Sequence, residues 1–531
     1  MSTQKQMSRV AAGLLLSAAV FGLGVSSVSA ETIRWARSSD ALTLDPHSQN
    51  EGPTLNLLHH VYETLVRRDD DGKLSPRLAT EWYIHPEDPT IWVIKLREGV
   101  KFHDGSDFTA EDVVFSLGRV KDDSSGFKGL HADAVSAEAI DAHTVHIKTQ
   151  GPSPLYINNL TNFFIIDKDW AEKNNVVRPQ NFVAKEDNYA VRNTNGTGPY
   201  KLVSRDPEVK TVLAWNEGHW ADKPTVTDII YTPISEPATR VAALLSGELD
   251  FVQDVPVQDV NRLQGTDGLN VTTGPENRNI FFAFDMGSPK LRTSDAADNP
   301  FAKPQVREAM SLAVDRDAIQ KVVMRGQSQP SAAPLPPFVN GWSEELHAYS
   351  KPDYARAAEL VKEAGYPDGF SVDLNCSNDR YLNDEAICQA VVGMLGRAGI
   401  RANLVSQSRN LHFPLIEGAN VDFYLVGWGV PTFDSAYVFN FLVHSRDGSY
   451  GSYNATHAVN KERDAKIEAL ATMTDLEARD ALIKEIWAEV KAENSFLNIH
   501  NQVLAYAMKD GIEIPVHPEN QPFMADVAIS K

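Results

Sequence analysis

Between Leu44 and Arg119 the structural signals follow one another so closely that little is left open for the backbone. Ile91 to Leu96 (IWVIKL) is an apolar, aromatic run with Trp92, Ile94 and Leu96 on one face, the pattern of a half-buried strand. Glu98-Gly99 and His103-Asp104-Gly105 are turn chemistry, where glycine takes positive φ without a Cβ clash. Thr109, with Asp112 three residues on, is a capping-box-like helix start, and Val113, Val114 and Leu117 follow at helical spacing. The segment predicts strand, turn, short strand, turn, helix.

Downstream, helical and strand patterns alternate. Pro304 opens a predicted helix with Val306, Ala309, Met310, Ala313 and Val314 as its apolar stripe, and Asp353 to Ala364 forms another, stopped by Gly365 and Pro367. A strand from Phe370, a helix from Asp384, a strand near Arg401 to Val405 and a strand from Val421 to Val426 complete the series. Such units predict an α/β protein with a mainly parallel, helix-covered sheet and a ligand at the carboxyl ends of its strands. The roughly 500 residues after position 30 exceed a single core and predict about three domains.

Several of these stretches resemble, in the same order, the extracytoplasmic solute-binding proteins of the dipeptide/oligopeptide/nickel ABC transporter family. The matching blocks are LDPH at 44–47, YETLVRRDDDGKLSPRLATEW, LREGVKFHDGSDFTAEDVVFS, GTGPYKLVS at 196–204, ALLSGELDFVQDVP, NIFFAFDM at 279–286, PFAKPQVREAMSLAVDRDAI, AAELVKEAGYPDGF, GWGVPTFDS and WAEVKAEN. The resemblance covers essentially the whole chain after position 30. It implies a periplasmic-binding-protein-like fold, α/β, with two main lobes of mixed, largely parallel sheets and an inserted third domain. Domain I would comprise 31–63, 196–290 and 500–531, domain II 64–195 and domain III 291–499. Ligand would be enclosed as domains I and III close, and the closed form recognised by the ABC permease with its ATPase.

Lys5 and Arg9 precede an apolar run from Val10 to Leu23, and Val28-Ser29-Ala30 offers small residues before Glu31. This reads as a secretory signal peptide over 1–30, cleaved after Ala30, so that the mature protein is periplasmic. A retained anchor is the alternative, but the run is shorter than the roughly 20 residues of a membrane span. Loss of the two basic residues in 1–30 moves the formal net charge from −21 to −23. Such acidity disfavours nucleic acid and anionic membrane as partners. A monomer without direct membrane insertion is expected. Cys376 and Cys388 are the only cysteines. In an exported chain they are expected to form a disulfide rather than remain free thiols.

The resemblance also implies ligand contacts. In peptide-binding relatives, backbone after LDPH and around GW pairs with an extended ligand as an added strand. Here those positions are Asn50, Glu51, Gly52 and Pro53, and Gly427, Trp428 and Gly429. Trp428 also ends an apolar strand and reads equally as a core residue. Arg380 lies near where a dipeptide-binding relative places its carboxylate-binding arginine, a role suited to a permanently charged, bidentate guanidinium. A surface ion pair is the competing reading, and Tyr381 would line the same wall. Relatives carry an aspartate for the ligand amine three residues after the GW tryptophan, where this chain has Pro431. Asp434 is the nearest substitute, or else a loop cap.

A peptide or peptide-like solute is therefore the expected ligand. Glutathione, an opine, an oligosaccharide or a nickel chelate are the alternatives. No cofactor and no bare-metal site are expected, since His143 and His146 fall on opposite faces of a strand and no His/Cys cluster is evident. A secreted hydrolase is the competing class, yet no G-x-S-x-G elbow, H-E-x-x-H helix, P-loop or dinucleotide fingerprint occurs, and no enzyme activity is expected. A chaperone-like peptide holder would use the same cleft with weak, unselective binding.

Overall fold

The structure is a computed structural model that describes residues 31–182, 184–447 and 450–530; the signal peptide expected over 1–30 lies outside the described residues. Its backbone is an eleven-stranded mixed sheet. In order, the sheet runs Ile400–Gln407, Phe370–Ser377, Phe423–Gly429, Leu269–Phe284, Leu497–Lys509, Phe251–Val252, Glu31–Arg37, Val226–Pro233, Lys210–Trp215 and Tyr200–Asp206, with Ser328–Pro330 added beside Leu497–Lys509. Parallel pairs include Glu31–Arg37 with Val226–Pro233 and, joined through helix Asp384–Gly396, Phe370–Ser377 with Ile400–Gln407. The pairings around the two long strands Leu269–Phe284 and Leu497–Lys509 are antiparallel, which helix–strand alternation does not reveal.

These two long strands run through both lobes and join them. Period-two alternation buries each on both faces. In Leu269–Phe284, Ile280, Phe282 and Phe284 enter one core while Phe281 and Ala283 enter another. In Leu497–Lys509, Leu504, Tyr506 and Met508 face the core of the amino-terminal lobe, and Ala505 and Ala507 face a smaller cluster behind it. Between the lobes their register slips, from Pro275 opposite Val503 to Asn279 opposite Asn501. Such a bulge releases the residues within it from the ladder and re-aims their side chains.

The expected local elements occur. Ile91–Leu96 is a strand of a separate four-stranded sheet with Ala79–Ile84, Thr144–Thr149 and Ala134–Asp141. Helix Ala110–Val120 starts at the Thr109–Asp112 capping box. The expected short strand shrinks to a bridge between Lys101 and Asp107. Cys376 and Cys388 form a disulfide that ties the end of strand Phe370–Ser377 to the first turns of helix Asp384–Gly396. A loop of this size is worth about 3 kcal/mol in the chain-entropy model.

LDPH is a structural motif. Asp45 accepts hydrogen bonds from both terminal guanidinium nitrogens of Arg119 at 2.7 Å, and both side chains are fully buried. His47 Nε2 lies 2.8 Å from the Phe164 carbonyl and Nδ1 lies 3.1 Å from Arg119. Burial, reinforced by Arg119, lowers the His47 pKa to about 3, so the ring is neutral, accepting from Arg119 and donating to Phe164. GTGPY is equally structural: a Cβ on Gly196 would stand 2.1 Å, and one on Gly198 2.6 Å, from the Val61 carbonyl oxygen. Only glycine permits that approach.

Candidate ligand-binding site

A cavity of about 860 Å³ lies between the lobes at the register slip of the crossing strands. That volume suits a small peptide or a solute of similar size. The slip presents Glu276, Asn277 and Arg278 to it, and the strand Phe423–Gly429, with the residues that follow it, supplies Val426 to Pro431. This strand meets its neighbour Phe370–Ser377 only at Tyr424 opposite Asn375, so beyond Tyr424 its edge turns to the cleft. Gly427 is held close to Tyr381, whose hydroxyl donates to the Gly427 carbonyl at 3.1 Å; a Cβ on Gly427 would stand 2.5 Å from the Tyr381 ring. The opposite lobe adds Asn50, Leu55 and Asn162, and the carboxyl-terminal segment adds Pro518, Glu519 and Gln521.

One wall is aromatic. Trp428 packs within 5.1 Å of Tyr453 and 5.8 Å of Tyr437, and Tyr437 lies 4.6 Å from Phe441, centroid to centroid. The buried Trp428 Nε1 and Asn277 Oδ1 have no hydrogen-bond partner. Buried polar atoms of this kind are normally satisfied, so two orphans lining one cavity mark a place for solute or ordered water.

The charges are more telling. Arg278 donates to Glu276 at 3.2 Å; burial works against its charge, but Glu276 outweighs that and keeps the pKa above the ordinary value. Glu276 also accepts from Gln502. Arg380 has its guanidinium 5.0 Å from the Tyr381 ring centroid, and no hydrogen bond or ion pair to another group among the described residues engages it. Solvent reaches Arg380, yet burial among protein atoms, then the neighbouring Arg278, hold its pKa below normal. Arg409, which starts the helix Arg409–Glu417, is likewise exposed with its guanidinium unpaired among the described residues. Three guanidinia share the cleft with the carboxylates of Glu276, Glu417 and Glu519, and the two guanidinia that are uncommitted offer an anion a local positive site.

Of the residues singled out from the sequence, Asn50, Arg380, Tyr381, Gly427, Trp428 and Gly429 all line this cavity. Trp428 does so while also belonging to a core cluster. Glu51 and Gly52 are not among the lining residues. Glu51 caps the helix Gly52–Val61, accepting the Thr54 amide at 2.8 Å, and Pro53 sits in its first turn. A helix there cannot pair with ligand as a strand would. Asp434 is absent from the lining too. It accepts two bonds of 2.7 Å from Arg479 and caps the helix Ser435–Val438, so its loop-cap reading describes it and its carboxylate is already paired.

Arg278, Glu276, Arg409 and Glu519 escaped the sequence reading. Glu276 and Arg278, two apart on a strand, share a face, but only the long-range register slip turns that face to the cleft. Glu519 sits in HPENQPF, a loop without periodicity, and carried no signal.

Two lobes joined by crossing strands about a charged, aromatic-walled cleft define a solute-binding protein. The family model of the bacterial extracellular solute-binding proteins, family 5, matches residues 73–450, well over half of the 531, and the chain belongs to that family. It is an extracytoplasmic substrate-binding component of an ABC importer. The chain is 27% identical over 491 residues to the glutathione-binding protein GsiB of Salmonella typhi, covering 90% of each. Among solved structures it resembles the substrate-binding protein CtaP of Listeria monocytogenes, with 21% identity, TM-score 0.81 and 94% and 100% coverage of this chain and that one. It also resembles DppA of Helicobacter pylori in complex with the peptide STSA, with 21% identity, TM-score 0.73 and 94% and 98% coverage. No helix among the described residues is long and apolar enough to cross a membrane.

Proposed function

We propose that this receptor takes a peptide or peptide-like solute through its carboxylate, and acts by closure of its lobes without catalysis. The observation that carries the reading is the pair of uncommitted guanidinia, Arg380 and Arg409, in a cleft already supplied with Arg278. A carboxylate relieves their mutual repulsion and accepts bidentate bonds. The aromatic wall covers the solute's apolar part, and the free edge beyond Tyr424 suits an extended backbone. The likeness to a glutathione-binding protein and to a peptide-bound structure points the same way. An oligosaccharide has no charge for these arginines.

The mature protein is a periplasmic monomer cleaved after Ala30 that hands its solute to the permease and ATPase. The domain limits 31–63, 196–290 and 500–531, 64–195, and 291–499 accord with the sheet, since the four-stranded sheet falls inside 64–195 and Phe370–Gly429 inside 291–499. Closure is supported by contacts between the stretch 64–195 and the stretch 291–499. The Arg68 guanidinium lies 3.7 Å from the Phe433 ring centroid and donates to Thr432 at 3.4 Å. Small-angle X-ray scattering tests this. Refolded, ligand-free protein is expected to lose radius of gyration when free-acid di- to pentapeptides are added. An unchanged radius alongside demonstrable binding would rule out closure.

A further inference from the structure

The charge inventory of the cleft leaves one group unexplained. Of the three carboxylates that line it, Glu276 is held by Arg278 and Gln502, and Glu417 accepts the Tyr453 hydroxyl at 2.9 Å. Glu519 has no hydrogen bond or ion pair to its carboxylate among the described residues, although its own backbone amide is tied to His517 Nδ1 at 3.2 Å. The nearby Arg68, which shares a smaller adjoining cavity with Glu519, donates to the Gly72 carbonyl at 2.9 Å and to Asn158 at 2.7 Å; its Nε has no partner, yet no hydrogen bond or ion pair joins it to Glu519 among the described residues. The loop carrying Glu519 is fixed, because the Pro518 carbonyl accepts the Asn277 amide at 2.7 Å. Pro431, standing where peptide-binding relatives would have their amine-binding aspartate, lines the same cavity and offers no charge.

We infer that Glu519 is the cation partner of the bound solute, supplying from the carboxyl-terminal segment the negative charge that Pro431 does not. Resting on the reading that the arginines take a carboxylate, this makes the ligand class a zwitterion that carries an ammonium as well as one or two carboxylates. Burial raises the Glu519 pKa to about 7 against the pull of Arg68. An ammonium placed against it keeps it ionised and forms the charge-assisted bond that its surroundings leave unmade.

The test is calorimetric titration of refolded protein with glutathione and Ala-Glu, each beside its N-acetyl derivative. Wild type is expected to prefer the free amines by about tenfold or more, the worth of a hydrogen bond between charged groups. Glu519→Gln keeps the shape and is expected to abolish that preference while binding the acetylated forms as wild type does; Glu519→Asp restores part of it. An undiminished preference in Glu519→Gln overturns the assignment. So does binding by wild type that ignores acetylation, which leaves the carboxylate reading intact. If wild type binds none of the four, the carboxylate reading and the assignment both fall. An unchanged melting temperature in Glu519→Gln separates ligand contact from a structural role.

Discussion

Arg119→Met is expected to remove about 3–5 kcal/mol of unfolding free energy, the cost of leaving one member of a buried ion pair alone. Asp45 and Arg119 are both fully buried, and Asp45 accepts from the Gln180 amide at 2.8 Å as well as from the guanidinium. Arg119 further donates to the carbonyls of Val176 at 3.0 Å and Arg178 at 3.2 Å, so its loss orphans those groups too. Urea denaturation gives the difference directly. The double variant Asp45→Asn/Arg119→Met is expected to recover part of it, because the stranded charge is gone. Burial alone would raise the Asp45 carboxyl, but Arg119 reverses this and holds it below the usual range. A carboxyl depressed in the folded state contributes stability above its unfolded pKa of about 3.9 and loses it as pH falls through the folded value. That component of the acid limb is expected in wild type and not in the double variant. A cost below 1 kcal/mol for Arg119→Met would mean that LDPH does not hold the scaffold through this ion pair.

The second large effect is on binding. Arg380→Ala is expected to weaken a free-acid ligand by about 2–3 kcal/mol, roughly 30- to 150-fold, as for truncating one partner of a desolvated charge pair. Its guanidinium is bound to no other group among the described residues, so the melting temperature of the solute-free variant should match wild type. Amidation of the ligand's carboxyl terminus should weaken wild type to a similar extent and the variant hardly at all, the signature of a direct pair in a double-mutant cycle. Equal sensitivity of both proteins to amidation would remove Arg380 as the carboxylate site and leave Arg278 and Arg409.

Much of the scaffold was legible because its signals are local. The Thr109–Asp112 box marked a helix start, IWVIKL marked a strand with the bounds Ile91–Leu96, and the spacing of Cys376 and Cys388 across a strand–helix junction suited a disulfide. Of the positions singled out for the site, Arg380 and Tyr381, on the bend that follows strand Phe370–Ser377, and the end of the GW strand line the cavity. The site was not legible where long-range pairing decides. Nothing local says that Pro275 to Asn279 slips against Val503 to Asn501, yet that slip delivers Glu276 and Arg278 to the cleft. Asp434 shows the converse failure. Its distance from Trp428 suggested a ligand contact, while its partner Arg479 lies 45 residues away in sequence.

The measurement that bears most directly on the receptor reading is a thermal-shift panel on protein unfolded and refolded to strip carried solute. Each candidate is offered as free acid and as carboxyl-blocked form: di- to pentapeptides, glutathione and opines, with oligosaccharides and nickel–histidine alongside. A ligand at 100 times its Kd stabilises by about 2.7 kcal/mol, enough to read as a shift. A rise confined to solutes with a free carboxylate is the expected result. A rise with an oligosaccharide, or equal rises with free and blocked acids, would contradict it.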